Sequence, residues 1–116
     1  RFVVAKESTV HENYKQRIIK AKDIDSVVTG RTHGHSVRGL RNQMTREYTK
    51  LEQEGKSFEE LEYLTLGALR KAVQEGDVMN GTVMAGQIAG MISKEQTCKE
   101  MIDEMMEQAK KLLNRE

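Results

Sequence analysis

The sequence predicts a mostly α-helical chain with one strand at its N-terminus and one or two further short strands. Three observations carry this prediction. The run Phe2–Ala5 is apolar and rich in β-branched residues, which is typical of a buried strand in a parallel sheet. Three segments have the pattern of a capping box, in which a hydroxyl oxygen and the carboxylate or amide oxygen of a side chain three residues later accept from the first free amides of a helix. Apolar residues after these boxes recur every three or four positions, as on one face of a helix.

The first half of the chain combines the strand with two helices. A capping box at residues 9–12 opens a predicted helix over 10–22, and the order strand, short loop, capped helix is half of a βαβ unit. Residues 23–29 predict a short strand, and three glycines predict a loop over 30–39. A helix over 40–54 follows, with Gly55 at the position of a C-terminal cap.

The second half is predicted to be helical apart from a glycine-rich stretch. A capping box at 57–60 opens a short helix that continues through Leu64, and a further helix over 66–75 ends at Gly76. A third box at 93–96 opens a terminal helix over 94–114. Its predicted apolar stripe consists of Cys98, Met101, Ile102, Met105, Ala109, Leu112 and Leu113.

Composition excludes several classes of protein. Apolar runs of about four residues are far shorter than the roughly 20 that a membrane-spanning helix needs. One cysteine excludes a disulfide framework and indicates a reducing compartment. Aromatic residues make up 4% of the chain, and the net charge is +5 over residues 1–58 and −4 over 59–116, which does not predict nucleic-acid binding.

The length first indicates a single domain of 116 residues, but two features favour a piece of a longer protein. The sequence has no proline, where about six are expected from average usage. It also begins at Arg1, inside the predicted strand and without an initiator methionine.

The first candidates for chemistry are two histidines and a group of arginines. His33 and His35 have the spacing of metal ligands, but no further ligand lies at a suitable distance in the sequence, so we predict no metal site. The arginines suit phosphate or carboxylate, or else form a solvated basic face: Arg31, Arg38, Arg41 and Arg46. Cys98 has no visible partner that would lower its pKa, which favours a packing role.

The segment Gly81–Gly90 is the most informative one. It matches neither a P-loop nor a dinucleotide-binding glycine pattern. Its small residues allow close approach either of another helix, with Gly86 and Gly90 on one face, or of a ligand. The residues alone leave both interpretations open.

Five segments, taken in order, resemble the C-terminal region of the flavin-dependent enoyl-acyl-carrier-protein reductase II family, within the nitronate monooxygenase-like flavin barrels. They are Arg1–Ser8, Gly34–Arg38, Asn42–Arg46, Gly76–Val78 and Val83–Glu95. The resemblance covers nearly the whole chain. The segments Arg38–Asn42 and Ala85–Gln87 are also similar to those of nitronate monooxygenases.

The resemblance implies a parent protein with a (β/α)8 barrel of about 250 residues or more that binds FMN. NAD(P)H would reduce the flavin, which would reduce an enoyl thioester carried by acyl carrier protein in fatty-acid elongation. Residues 1–22 would be the last strand and helix of the barrel, and 23–116 a helical extension over its mouth. The full-length enzyme is expected to be a cytoplasmic homodimer, whereas the 116-residue piece alone is expected to bind no FMN.

The resemblance also implies site residues. Arg1 and Phe2 would lie beside the loop that holds the FMN phosphate, which fits the position of phosphate sites after strands 7 and 8 of such barrels. Four residues would line the substrate mouth: Met84, Ala85, Gly86 and Gln87. No catalytic residue is assigned.

Two alternatives accompany this interpretation. One is a nitronate monooxygenase of the same fold, with oxygen as oxidant and a small nitronate as substrate. The other is a small helical binding module without enzymatic activity. A barrel fragment, unlike such a module, should expose apolar surface on Phe2–Val4 and on the 101–113 stripe.

Overall fold

Residues 1–114 of the computed structural model are described here. The α-helices are α1 (Glu12–Ile19), α2 (Gln43–Gln53), α3 (Phe58–Thr65), α4 (Ala68–Arg70, continuing as a π-helical turn over Lys71–Glu75) and α5 (Cys98–Leu113). The strands are β1 (Ser26–Thr29) and β2 (Val37–Leu40). Short 3-10 helices cover Phe2–Val4, Asp23–Asp25, Arg31–His33 and Gln87–Met91. The prediction of a mostly helical chain with one or two short strands is therefore confirmed.

The two strands form an antiparallel hairpin. Ser26 pairs with Leu40 and Thr29 pairs with Val37. A bridge between Gly39 and Met84 adds the segment after Gly81 to the free side of β2. The short strand predicted within 23–29 is confirmed, whereas the loop predicted over 30–39 is wrong for its last residues, because pairing with β1 makes them a strand.

The N-terminal strand is the clearest wrong prediction. Phe2–Val4 is a 3-10 helix, in which the amides of Val4 and Ala5 donate to the carbonyls of Arg1 and Phe2 at 3.1 and 3.0 Å. Within residues 1–114 no strand pairs with this segment, so its backbone groups find partners locally. Val4 and Ala5 are nevertheless buried, as an apolar run requires.

Several helix starts differ from the predicted ones because side chains outside the pattern cap them. Helix α1 is capped by His11, whose Nδ1 accepts from the amide of Asn13 at 3.0 Å, and not by a box at 9–12. Helix α5 is capped by Thr97 instead of the box at 93–96. The box at Ser57 and the C-terminal caps at Gly55 and Gly76, both at positive φ, are confirmed.

The main core is assembled from distant parts of the chain. Tyr14 and Ile18 of α1 pack with Val4, Leu40 and Val83. A second cluster joins Met44, Tyr48 and Leu61 of α2 and α3. The domain boundary predicted at residue 22 stays a prediction, and the main core includes residues from both sides of it.

The molecule is elongated and exposes apolar side chains. Its radius of gyration is 16.6 Å, whereas a compact domain of this length has about 13 Å. Phe2 and Val3 are exposed, and so are Ile102, Met106, Leu112 and Leu113 of α5. The predicted exposure is thus confirmed for most of both surfaces, while Val4 and Met101 are buried. No helix within residues 1–114 combines the length and the apolarity needed to cross a bilayer.

Candidate functional site

The segment Val83–Gln87 is the candidate site, and its backbone is held on two sides. The hydroxyl of Tyr14 donates to the carbonyl oxygen of Met84 at 2.7 Å. On the other side, Leu40 donates from its amide to the carbonyl of Val83 at 2.9 Å, and the amide of Ala85 donates to the carbonyl of Arg38 at 3.4 Å. Met84 therefore has a fixed backbone, while its side chain is 44% exposed.

Burial raises the pKa of Tyr14 above its usual value of 10.0. The phenol is therefore protonated at neutral pH and available as the donor to Met84. Its ring is buried among Val4, Ile18 and Val83. Tyr14 is thus a positioning residue that the sequence reasoning assigned only to a packing face.

The loop before the site is anchored by Asn42, which is buried. Its Nδ2 donates to the carbonyls of Val78 and Gly81 at 2.8 and 2.7 Å, and its Oδ1 accepts from the amide of Thr45 at 3.0 Å. One side chain therefore caps α2 and fixes the chain that leads to Met84. In the sequence, Asn42 stands out only as part of Asn42–Arg46, one of the segments that carry the family resemblance.

The glycines of this region resolve the choice between close packing and an open approach. A Cβ at Gly39 would lie 2.7 Å from the carbonyl oxygen of Val83, and a Cβ at Gly81 would lie 2.5 Å from that of Asp77. Gly90 packs as closely on Asp23. At Gly86, in contrast, a Cβ would meet no atom within 4 Å. Packing thus explains Gly81 and Gly90, while Gly86 faces open space and does not share a helical face with Gly90.

A cavity of about 300 Å³ lies beside Met84, between the hairpin and helices α2, α3 and α4. Met84 is the only one of the four predicted mouth residues among its lining residues. Ala85 is half-buried, and Gly86 and Gln87 are exposed. The structure therefore places the four residues in one exposed segment, with Met84 at the edge of the cavity.

The predicted cofactor residues lie at a different cleft. The guanidinium of Arg1 forms an ion pair with Glu104 at 2.5 Å and donates to Oε1 of Gln96 at 3.0 Å. Arg1 shares this cleft with Ile88 and Met91, which follow the Met84 segment in the chain. The ring of Phe2 is exposed.

The other candidates have structural roles. His35 stacks on Phe58 with ring centroids 4.5 Å apart, and His33 lies 6.0 Å from the same ring. Residues 1–114 contain no group of three or more potential metal ligands. Burial raises the pKa of the Cys98 thiol, and the neighbouring carboxylate of Glu7 adds to this shift, which makes Cys98 a poor nucleophile.

Comparison with known proteins identifies the family. A sequence model of the nitronate monooxygenase family matches residues 1–108. The chain belongs to this family. Proteins of the family are flavin-dependent oxidoreductases.

Curated members of the nitronate monooxygenase family match the chain at low identity. A probable nitronate monooxygenase of Staphylococcus saprophyticus is 24% identical over 114 residues, which cover 98% of this chain and 32% of the relative. One from Bacillus subtilis is 23% identical over 107 residues, covering 92% and 31%. The chain therefore spans about a third of the length of these relatives.

Solved structures match more closely. FabK from Thermotoga maritima has 38% identity and a TM-score of 0.92, covering 99% of this chain and 36% of that chain. A methionine-to-alanine mutant of FabK from the same organism has 35% identity and a TM-score of 0.82, covering 99% and 34%. The chain thus has the fold of about a third of FabK, and the predicted parent fold, a (β/α)8 barrel, is confirmed.

The described residues include a few groups that a flavin could contact. Phe2 and Val3 offer exposed apolar surface, and Gly86 leaves room for a group to approach its backbone. The guanidinium of Arg1, however, already has a carboxylate partner, so it is not a free cation for a phosphate.

Proposed function

We propose that the chain forms the substrate side of an FMN-dependent enoyl-acyl-carrier-protein reductase of the FabK type. The observation that carries this proposal is the match to FabK over 99% of the chain, at a TM-score of 0.92 and 38% identity. The proteins named probable nitronate monooxygenase reach only 23–24%. Higher identity to FabK favours the reductase over the oxygenase.

Within this proposal, Met84, Ala85, Gly86 and Gln87 line the mouth through which the thioester reaches the flavin. Support comes from the fixed backbone at Met84 and the open space at Gly86. A pre-formed backbone orders the site before substrate arrives and so lowers the entropic cost of binding.

Arg1 and Phe2 are proposed to lie at the flavin edge. Because the guanidinium of Arg1 is paired with Glu104, their contribution would come from the backbone and from the exposed ring of Phe2. The chemistry that FMN supplies when bound is transfer of a hydride, received from a reduced nicotinamide, to the double bond of the enoyl thioester.

The remaining parts of the proposal come from the resemblance and stay predictions. They are NAD(P)H as the reductant, an acyl-carrier-protein thioester as the substrate, a homodimeric full-length enzyme and a cytoplasmic location. Nucleic acid and membrane are not proposed as partners.

Nitronate monooxygenase activity is the second candidate, and the names of the curated relatives favour it. A small independent binding module is disfavoured, because the chain matches a third of a larger enzyme almost end to end.

The test uses the full-length enzyme that contains this chain. Consumption of NAD(P)H with a crotonyl thioester is compared with oxygen consumption on a propyl nitronate. The proposal predicts that kcat/KM for the thioester exceeds that for the nitronate by at least 100-fold, roughly 2.7 kcal/mol in transition-state stabilisation. Faster turnover of the nitronate would reject the reductase in favour of the second candidate.

A further inference from the structure

The cavity beside Met84 is lined mainly by apolar side chains. Its floor and walls include Val27 and Val37 of the hairpin, Leu40, Met44 of α2, Leu69 and Val83. Leu40, Met44 and Val83 are buried, whereas Val37 and Leu69 lie at the exposed rim. The cavity therefore has a buried apolar floor and a rim that is exposed to solvent.

The charges around the cavity disfavour an anionic ligand. Its lining contains one carboxylate, that of Glu62, and neither lysine nor arginine. Glu62 is exposed, so it lies at the rim. The chemistry of the lining therefore fits a neutral and mainly apolar ligand.

The uncharged polar side chains of the lining are those of His35, Tyr48 and four threonines, and of these Thr45 and Tyr48 are buried. Tyr48 is 6% exposed and lines the cavity. Among the described residues, no hydrogen bond is found for its hydroxyl, although Asn42 and Thr45 nearby have theirs. Burial raises the pKa of Tyr48, so the hydroxyl is neutral at physiological pH. A ligand that displaces water from the cavity would leave this hydroxyl without a partner, which is unfavourable.

We propose that this cavity holds the acyl chain of the enoyl thioester beyond the reacting double bond. The inference rests on the proposed function, which places the substrate mouth at Met84–Gln87. Met84 belongs to that segment and lines the cavity, so the two sites are continuous. A cavity of about 150 Å³ can hold a benzene molecule, and this one has about 300 Å³. It therefore has room for an acyl chain of roughly eight to ten carbons.

The test uses two substitutions in β1. One places a large side chain in the cavity, and the control places the same side chain on the opposite face of the strand. Thr29 lines the cavity, whereas its neighbour Val28 points to the opposite face of the hairpin and is absent from the lining. Thr29→Phe and Val28→Phe are introduced into the full-length enzyme. Values of kcat/KM are then measured with trans-2-enoyl thioesters of 4 and 10 carbons.

The expected result is a selective loss. Each methylene that can no longer be buried weakens binding about fourfold. Thr29→Phe should therefore lower kcat/KM at least 10-fold for the 10-carbon substrate and less than twofold for the 4-carbon one. Val28→Phe should affect both substrates equally. An equal loss for both substrates in Thr29→Phe would overturn the inference while leaving the reductase proposal intact.

A second variant tests the role of the hydroxyl. When an acyl chain displaces water from the cavity, the hydroxyl of Tyr48 loses its partner, and Tyr48→Phe removes this hydroxyl. The ratio of kcat/KM for the 10-carbon substrate to kcat/KM for the 4-carbon substrate should therefore rise about threefold. A fall would mean that the hydroxyl binds a polar ligand group, which contradicts the acyl-chain assignment.

A binding measurement with decanol tests whether the cavity takes an apolar chain, independently of catalytic activity. Decanol should raise the melting temperature of the wild-type enzyme but not that of Thr29→Phe. If the enzyme reduces no enoyl thioester, the proposed function fails, and this shift still reports on the cavity. If decanol gives no shift with the wild-type enzyme, the cavity is filled by other parts of the parent protein and the inference is wrong.

Discussion

The hydrogen bond from Tyr14 to the carbonyl of Met84 allows the most specific prediction about the site. Tyr14→Phe keeps the buried ring and removes only the donor at 2.7 Å. A neutral hydrogen bond contributes about 1 kcal/mol net, and the partly buried carbonyl left without this donor adds to the loss. We expect the free energy of unfolding of the full-length enzyme to fall by about 1–2 kcal/mol.

Tyr14→Phe should also lower the catalytic activity of the full-length enzyme. Without this hydrogen bond the Met84 segment can leave its position. A loss of about 1 kcal/mol in transition-state stabilisation corresponds to roughly a fivefold fall in kcat/KM. The assays are urea denaturation and steady-state reduction of an enoyl thioester. Tyr63→Phe is the matched control, because Tyr63 is 83% exposed and its loss of a hydroxyl should change neither quantity. Equal behaviour of the two variants would refute the reasoning that Tyr14 positions Met84.

Three further predictions concern packing, pH and the cofactor. Gly39→Ala should lower the free energy of unfolding in urea by about 2 kcal/mol or more, since its Cβ would lie 2.7 Å from the carbonyl oxygen of Val83; a change below about 0.5 kcal/mol would contradict this contact. The pKa of Glu7, bonded to the amide of Cys98, and that of Glu104, bonded to Gln96 and Arg1, lie below 4.5. Both carboxylates therefore stabilise the attachment of α5 above pH 4.5, and this stabilisation is lost as the pH falls through their lowered pKa values. On acidification the amide protection factors of α5, which correct for the intrinsic pH dependence of exchange, should fall before those of the rest of the chain. A uniform fall of the protection factors across the chain at pH 3–4 would contradict this prediction. The isolated 116-residue chain should bind no FMN, and stoichiometric flavin absorbance on the purified chain would show the opposite.

Local patterns predicted those parts of the fold that depend on neighbouring residues. The box at Ser57 and the caps at Gly55 and Gly76 need only a few residues in sequence, and they form as predicted. The start of α1 at His11 depends on tertiary contact, because the amide of His11 donates to the carbonyl of Val73 at 2.7 Å. Such a partner is invisible in the local pattern.

The N-terminal run shows the same limit for strands. Apolar, β-branched residues predict burial, and Val4 and Ala5 are buried. A strand also needs a neighbouring strand for its hydrogen bonds, and Phe2–Val4 has none within residues 1–114. Composition thus predicted where the side chains lie and not which backbone conformation they adopt.

For the candidate site, the sequence indicated the segment Gly81–Gly90 but not the distant residues whose contacts hold its backbone in place. Glycine spacing drew attention to residues 81–90, but the contact of Gly39 with Val83 and the open space at Gly86 arise only in the folded chain. Tyr14 lies 70 positions from Met84 in the sequence, and a pattern of local periodicity cannot join them. The cavity, built from the hairpin and three helices, was likewise beyond local patterns.

Gly86→Leu in the full-length enzyme tests the central claim, that residues 84–87 line a substrate mouth, most directly. Gly86 has φ −83° and ψ −178°, which any residue adopts, and open space where its Cβ would lie. The account predicts an unfolding free energy within about 0.5 kcal/mol of wild type and a kcat/KM for the enoyl thioester at least 10-fold lower. Lys56→Leu, which adds the same side chain at an exposed position between α2 and α3, should leave both unchanged. Wild-type kcat/KM in Gly86→Leu would contradict the account.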